Sequence, residues 1–194
     1  MKPFGSLLLI TFAGLTACGG GSTPSQKQIS VFTNQLSLEY GGFRLLYDCD
    51  LKSAIRFEYK LDKDTANCNR PATFTFDMNL SKNCGEQLST NSYASVVSGW
   101  DRGHLVASNH MDYDPAYLLS ANYMTNIVPQ LASFNQGLWK ETENITECYR
   151  DLAPIQVIGG VIYSDASNDF FVSSHGIKSP DYFSKTLITT NSNN

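Results

Sequence analysis

The segment that most constrains the fold is residues 55–61, IRFEYKL, in which apolar and charged residues alternate without a break. A period of two is typical of a β-strand that buries one face and exposes the other to water. Residues 73–76, TFTF, repeat the alternation. Residues 155–163, IQVIGGVIY, are nearly continuous in apolar and glycine residues, which is typical of a central strand covered on both faces. The sequence therefore predicts a domain built around a sheet.

A helix is predicted between these strands, over residues 135–150. Four of its residues recur at offsets of four, three and four, and so share one helical face: Leu138, Thr142, Ile145 and Tyr149. We expect this stripe to face the sheet. Strands followed by a helix and further strands indicate an α+β class rather than alternating βαβ units. A length of 194 residues fits one globular domain.

The first residues of the chain predict an export signal. Residues 1–17 contain one lysine and an apolar run from Leu7 to Leu15, which is too short to span a bilayer. Residues 15–18, LTAC, resemble the lipobox of bacterial lipoproteins. This resemblance implies that Cys18 is acylated and becomes the first mature residue. An ordinary signal peptide that contains a cysteine is the alternative.

A flexible tether is predicted after the signal. Residues 19–25, GGGSTPS, are too poor in apolar side chains to form a core, so residues 18–29 are expected to link the acylated cysteine to a folded domain at 30–194. Such a protein would be exported and lipid-anchored to a bacterial membrane, at the periplasmic face or the cell surface.

The remaining cysteines predict disulfides. Cys49, Cys68, Cys84 and Cys148 are even in number, and their spacings do not match a zinc site. Disulfides persist in the compartments that exported proteins reach. Three pairings are open to the sequence. A short local loop favours Cys68–Cys84, which leaves Cys49–Cys148 by elimination.

A local cationic segment stands out from an acidic chain. The formal net charge is −4, so binding of nucleic acid would depend on a local site rather than on the whole molecule. Residues 101–111, DRGHLVASNHM, offer such a site. His104 is a candidate base because imidazole titrates near neutral pH, at about 6.5. Arg102 offers planar donors to phosphate, and Gly103 permits backbone geometry that a Cβ would resist.

Oxygen ligands for a cation follow downstream. Amides that include Asn135 precede Glu143, and such donors suit Mg²⁺. Together with a base and arginines, they are the side-chain types that phosphodiester hydrolysis requires. Two plainer interpretations are open: His104 also fits a surface histidine beside an Asp101–Arg102 ion pair, and Asn135 fits a helix N-cap. A zinc site at His104 and His110 lacks a third ligand.

Four motifs follow one another in a fixed order: DRGH at 101–104, TNIVPQ at 125–130, NQGLWKETE at 135–143 and HGIKSPDYFSK at 175–185. Their order and spacing resemble the DNA/RNA non-specific endonuclease family of the ββα-metal class. The resemblance implies a mostly antiparallel central sheet, with the catalytic strand–helix motif packed on one side. It also implies hydrolysis of DNA and RNA to 5′-phosphate ends, with Mg²⁺ as cofactor and Mn²⁺ as a substitute.

The resemblance also implies roles for individual residues. His104 would be the general base, Asn135 the metal ligand, and Glu143 the group that orients metal-bound water. Asn126 would hold His104 or the hydrated metal, and Asn122 is a weaker candidate for that task.

Two arginines complete the implied site. Arg70 would clamp the charge of the transition state, and Arg102 would face the phosphate or support the motif. The chain ends soon after Lys185, which predicts a C-terminally shortened domain. The alternative function is a catalytically inactive surface lipoprotein that binds nucleic acid or a protein partner; the motifs themselves imply no protein partner.

Overall fold

The computed structural model describes residues 34–189. The predicted signal peptide at 1–17, Cys18 and the tether at 18–29 lie outside the described residues, so those expectations stay predictions. Within residues 34–189, no helix is long and apolar enough to cross a membrane.

Seven strands lie within the described residues. They are Gln35–Glu39 (β1), Phe43–Asp48 (β2), Ser53–Leu61 (β3), Trp100–His104 (β4), Ile127–Leu131 (β5), Ile155–Ile162 (β6) and Tyr182–Thr189 (β7). Five of them form the main sheet in the order β1-β2-β3-β6-β7. Strands β4 and β5 form a separate two-stranded sheet, called the hairpin below, whose strands are joined by residues 105–126. All neighbouring pairs are antiparallel. The expected α+β class with a mostly antiparallel sheet is confirmed.

Strand β3 follows the alternation seen in the sequence. Phe57, Tyr59 and Leu61 are buried, whereas Arg56 and Lys60 point to solvent. Burial of these large side chains against the layer that contains the hairpin and helices supplies much of the hydrophobic stabilisation of the core.

Strand β6 corrects one expectation. Ile155, Val157 and Val161 are buried, but Gln156 is exposed and Ile162 is 59% exposed. The prediction that this strand is covered on both faces is therefore wrong. Its apolar run includes residues of the open face, because the sheet is packed on one side only.

Four α-helical segments lie between β4 and β7 along the described chain. They are Pro115–Ala121 (α1), Ala132–Phe134 (α2), Lys140–Arg150 (α3) and Val172–His175 (α4). A π-helical turn, Asn135–Trp139, joins α2 to α3. Gly137 within it has non-helical dihedrals, φ −102° and ψ −108°. The predicted helix over 135–150 is thus interrupted at its beginning. Asn135 has helical dihedrals, φ −58° and ψ −49°, directly after α2, so it is not a helix N-cap.

The packed face of α3 differs from the predicted stripe. Leu138 is 67%, Ile145 40% and Tyr149 53% exposed. The inward positions lie one residue later: Trp139, Glu143, Thr146 and Arg150. The expectation that the apolar stripe faces the sheet is wrong, because three of the four inward side chains are polar.

Residues 62–92 form no helix or strand. The strand predicted at 73–76 is wrong, since only Thr75 makes an isolated bridge, to Tyr123. The ring of Phe74 instead packs on the imidazole of His104, with ring centroids 5.4 Å apart. This segment serves as a wall beside β4 rather than as part of the sheet.

The disulfide joins Cys49 to Cys84. The predicted pairs Cys68–Cys84 and Cys49–Cys148 are both wrong, and Cys68 and Cys148 are free thiols. Cys49 and Cys84 meet in the core at the end of β2, whereas Cys148 lies on the exposed face of α3. Sequence separation did not reveal this contact, because residues 62–92 form no regular element and line the cleft at Arg70 before Cys84 reaches the end of β2.

Candidate nuclease active site

A polar cleft of about 420 Å³ lies beside β4, the beginning of α3 and the segment 62–92. Five of the six predicted site residues line it: Arg70, Arg102, His104, Asn135 and Glu143. Residues far apart in the sequence thus meet in one concave site, as expected for a binding or catalytic site.

The hydrogen bonds of His104 define which nitrogen carries its proton. Nε2 lies 2.9 Å from Asn122 Oδ1, and Asn122 Nδ2 donates to Pro71 O at 3.3 Å. Because an amide oxygen only accepts, His104 Nε2 is the protonated nitrogen and donates. Within residues 34–189, no hydrogen bond engages His104 Nδ1. Nδ1 therefore keeps a lone pair that can accept a proton.

The environment of His104 keeps the imidazole neutral. Burial lowers the pKa of His104 to about 4; the hydrogen bond to Asn122 opposes this shift, and the charges of Arg70 and Arg102 add to it. Arg70 Nη2 lies 3.5 Å from His104 Nε2, but an Nε2 that carries a proton cannot accept from a guanidinium, so Arg70 acts on the ring through its charge and not through a hydrogen bond. A neutral imidazole at neutral pH is the form that a general base requires.

The main chain of His104 is held by the core. Trp139 Nε1 donates to His104 O at 2.9 Å, and only 3% of Trp139 is exposed. Phe57 and Phe183 contact the indole edge-on. Trp139 therefore anchors the imidazole's backbone and is too deeply buried to stack on a base.

Asn126 does not reach the cleft. It is fully buried, its Oδ1 accepts from Val106 N, and its Nδ2 donates to Val106 O and Ala121 O. Asn126 thus holds the backbone that follows β4, and Asn122 is the residue that contacts His104. The expectation that Asn126 holds His104 or the hydrated metal is therefore wrong, and Asn122, the weaker candidate from the sequence, is the asparagine at His104.

Asn135 is oriented by Asp101. Asn135 Nδ2 donates to Asp101 Oδ2 at 3.0 Å, and Gln136 Nε2 donates to the same oxygen at 2.8 Å. Because a carboxylate only accepts, this contact assigns the nitrogen of the Asn135 amide to Asp101. Asn135 Oδ1 receives no hydrogen bond from the described residues and is available as a ligand.

Glu143 lies in the first turn of α3 and is partly buried. Burial raises its pKa, while the charges of Lys185, Arg70 and Lys140 lower it. No described side chain donates a hydrogen bond to its carboxylate, so both oxygens are available to hold water.

Arg102 supports the motif and also lines the cleft. Its Nη1 donates to Thr90 O at 2.6 Å, and its guanidinium carbon lies 4.2 Å from the Phe74 ring centroid. Phe74 thus contacts both Arg102 and His104. The contact aligns a cation with the base while leaving other guanidinium N–H groups for a ligand.

Gly103 is required by a close approach. A Cβ at this position would lie 2.2 Å from the side-chain carbon and oxygen of Gln130. Gly103 has no positive φ, so the expectation that glycine permits an unusual backbone geometry here is wrong. Glycine is needed because a larger residue would not fit beside Gln130. The side chain of Gln130 lies across the hairpin where Gly103 leaves room.

The cleft fits a hard cation better than a zinc ion. Within residues 34–189, no group of three or more His, Cys, Asp or Glu side chains is placed to hold a metal. His110 is fully buried and its Nδ1 lies 2.8 Å from the Tyr59 hydroxyl. The oxygen donors that remain, Asn135 Oδ1 and the Glu143 carboxylate, suit an ion that retains most of its waters.

A model of the DNA/RNA non-specific endonuclease family matches residues 20–194. The chain belongs to this family. The nuclease is also similar to a chain in the crystal structure of the EndoG/EndoGI complex, which addresses the mechanism of EndoG inhibition. The TM-score is 0.64 at 18% identity, over 80% of this chain and 68% of that chain. A search of curated proteins finds no match for the nuclease.

Family membership establishes the enzyme class. The chain is a nuclease, hence a hydrolase, and its family depends on a metal. The structural similarity confirms the ββα-metal fold expected from the motifs.

Three residues that contact members of the nuclease site were given no role in it from the sequence. Asp101 orients Asn135, Phe74 contacts both Arg102 and His104, and Trp139 anchors the main chain of His104. Asp101 and Trp139 belong to the quoted motifs, which was a signal that each has a site-related contact. Phe74 had no such signal, because it lies in an irregular segment outside them.

Proposed function

We propose that this nuclease hydrolyses phosphodiester bonds of DNA and RNA with Mg²⁺, has His104 as general base, and leaves 5′-phosphate ends. One observation carries the proposal: a neutral imidazole with an unengaged Nδ1 shares a cleft with an unengaged amide oxygen of Asn135. Arg70 and Arg102 add positive charge to the same cleft.

Asn135 Oδ1 would hold the cation directly, and Glu143 would orient water around it. When bound, Mg²⁺ supplies Lewis-acid stabilisation of the charge that develops on the phosphoryl oxygens. Mn²⁺ accepts the same oxygen donors. A neutral amide suits this task because it leaves the charge of the ion largely unquenched.

The protein's own groups perform the proton transfer and bind the phosphate. His104 accepts a proton at Nδ1 from the attacking water, and its Nε2–H keeps donating to Asn122 as the ring becomes charged. Arg70 and Arg102 bind phosphate oxygens and stabilise their increasing negative charge. The bond from phosphorus to the 3′-oxygen breaks, that oxygen takes a proton from solvent to become the 3′-hydroxyl, and the phosphate stays on the 5′ end.

Nicking of plasmid DNA and degradation of RNA test this proposal, with Mg²⁺, with EDTA, and for His104→Ala. We expect EDTA to abolish turnover and His104→Ala to lower kcat by about 10² to 10⁴-fold, since the base is lost. Circular dichroism checks that the variant is folded. Activity that survives both chelation and the substitution contradicts the proposal. Salt-dependent DNA binding without turnover would instead favour the inactive binding protein.

We also propose that the nuclease is exported and lipid-anchored at Cys18, on a bacterial periplasmic face or cell surface. The LTAC sequence at 15–18 and the tether that follows support this location. Metabolic labelling with palmitate tests it, with Cys18→Ser as the matched variant. We expect label on the wild type alone; an unlabelled wild type contradicts the anchor.

A further inference from the structure

A lysine on β7 has its ammonium buried against the core, and the reaction as proposed does not use it. Lys185 lies on β7 between Phe183 and Leu187, which point to the same packed side of the sheet. Its ammonium is buried and has no hydrogen-bond partner among the described residues. Removing an ammonium from water without such a partner is costly, so an apolar residue here would favour stability.

The contacts of Lys185 lead to the active site. Its Nζ lies 3.8 Å from the ring centroid of Trp139, in a cation–π arrangement. Trp139 donates to the main chain of His104, and Glu143 lies one turn further along the same face. Lys185 is therefore placed against Trp139, the residue that directly precedes the helix carrying Glu143.

Glu143 and Lys185 influence each other without a direct ion pair. Lys185 is the strongest of the positive charges that lower the pKa of Glu143, ahead of Arg70 and Lys140, while Glu147 acts in the opposite direction. Burial lowers the pKa of Lys185 to about 8, against the attraction of Glu143. A hydrogen-bonded ion pair would occupy carboxylate oxygens, whereas a charge beneath the indole leaves them available.

We propose that Lys185 is a positioning residue, a buried counter-charge that stabilises the Glu143 carboxylate while leaving its oxygens free for water in the cleft. This inference rests on the proposed role of Glu143 in the nuclease reaction. The proposed role explains why the protein retains a cation whose burial costs stability and which neither lines the cleft nor pairs directly with a carboxylate.

The kinetic test compares Lys185→Met, which keeps a long unbranched side chain, with Lys60→Met, which removes an exposed lysine from the same sheet. For Lys185→Met we expect kcat to fall by about tenfold, with KM for DNA unchanged, as is typical for groups that support the immediate site. Thermal unfolding of each variant checks that a change in kcat does not come from loss of folding. In a Glu143→Gln background, Lys185→Met should lower kcat no further.

A loss of kcat that is equally large with Glu143→Gln overturns the proposal, as does wild-type kcat in Lys185→Met. Lys185→Gln repeats the comparison with a second neutral side chain if the methionine variant does not fold. Lys60→Met should match the wild type in all measurements.

An NMR titration of the Glu143 side-chain carboxyl carbon, with EDTA and without nucleic acid, tests the electrostatic part independently of turnover. Glu143→Gln assigns the resonance. We expect Lys185→Met to move the midpoint to higher pH and Lys60→Met to leave it in place; an unchanged midpoint in Lys185→Met overturns the proposal. A shifted midpoint in a protein without Mg²⁺-dependent turnover supports the counter-charge and contradicts only the proposed nuclease reaction.

Discussion

At the residue scale, the chemistry of His104 depends on its immediate neighbours. Asn122 fixes the proton on Nε2, burial keeps the ring neutral, and Trp139 holds the main chain. An isolated histidine has none of these properties. Asn135 has a similar dependence, because Asp101 determines which side of its amide points away from the carboxylate.

Asn122→Asp tests the environment of the base. A carboxylate 2.9 Å from Nε2, in place of the amide oxygen, would stabilise the imidazolium and raise the pKa of His104 from about 4. We expect the acid limb of the kcat/KM profile to move up by about one pH unit or more. Asn122→Ala removes the hydrogen bond without adding charge and serves as the control. An acid limb that stays in place in Asn122→Asp is the contrary result.

At the element scale, the β4–β5 hairpin and the beginning of α3 form the site together. The hairpin carries Arg102 and His104, and the π-helical turn carries Asn135. Gly137, with its non-helical dihedrals, lies between Asn135 and Glu143. The relative positions of the two side chains therefore cannot be calculated from the geometry of a continuous α-helix.

Gly103→Ala tests the packing of the hairpin. The new Cβ would lie 2.2 Å from the Gln130 side chain, which must move or force the strands apart. We expect a loss of about 1–3 kcal/mol in the free energy of unfolding, measured with urea. In a Gln130→Ala background, Gly103→Ala should cost much less free energy of unfolding, measured against Gln130→Ala alone, because the side chain that the new Cβ would meet is gone. Equal losses in both backgrounds would show that the two side chains do not compete for space.

At the scale of the whole molecule, one covalent link joins the end of β2 to the irregular segment before β4. Cys49 and Cys84 are 35 residues apart and buried together. Their bond restricts the unfolded chain and holds one end of the segment that carries Arg70 and Phe74 to the site.

Removal of this link with Cys49→Ala/Cys84→Ala should lower the free energy of unfolding by about 2–5 kcal/mol. Cys148→Ala is the matched control, because this thiol is free and exposed, and it should leave stability unchanged. Peptide mapping under non-reducing conditions provides the direct check. Recovery of a Cys68–Cys84 peptide from the folded protein would contradict the pairing.

Buried histidines make stability depend on pH. The pKa values of His104 and His110 fall to about 4 and about 3 in the folded state, mainly through burial. An unfolded histidine has a pKa of about 6.5, so the unfolded chain binds more protons below that pH. Above about pH 6.5 these histidines are neutral in both the folded and the unfolded state and do not lower the free energy of unfolding. Below that pH the unfolded chain binds protons that the folded protein does not, so the free energy of unfolding falls progressively as the pH decreases towards 3.

His110→Gln isolates one of these contributions. Each buried histidine contributes a slope of up to about 1.4 kcal/mol per pH unit in that window. We expect the free energy of unfolding between pH 6.5 and 4 to depend less on pH in the variant than in the wild type, since the other titrating groups are shared. Urea unfolding at several pH values provides the measurement, and parallel dependences would refute the assignment to His110.

The sequence by itself determined much of the fold and the identity of most site residues. Alternation predicted β3, because a half-buried strand imposes its period on the chain directly. The order and spacing of the motifs predicted the family and four residues that line the cleft, because motif residues retain their local spacing wherever the chain folds. Arg70, the fifth, lies outside the four motifs and came only from the wider resemblance.

Only the tertiary structure decided which side of α3 is packed, which cysteines pair, and which asparagine holds His104. Each choice depends on contacts between segments distant in sequence. Hydrophobic periodicity predicted the wrong face of α3, because the packed face carries polar residues. Loop length predicted the wrong cysteine pairs, because Cys84 bonds to a cysteine 35 residues earlier in the chain. Asn122 and Asn126 are the same residue type four positions apart, so their surroundings alone separate a partner of the base from a clamp in the core.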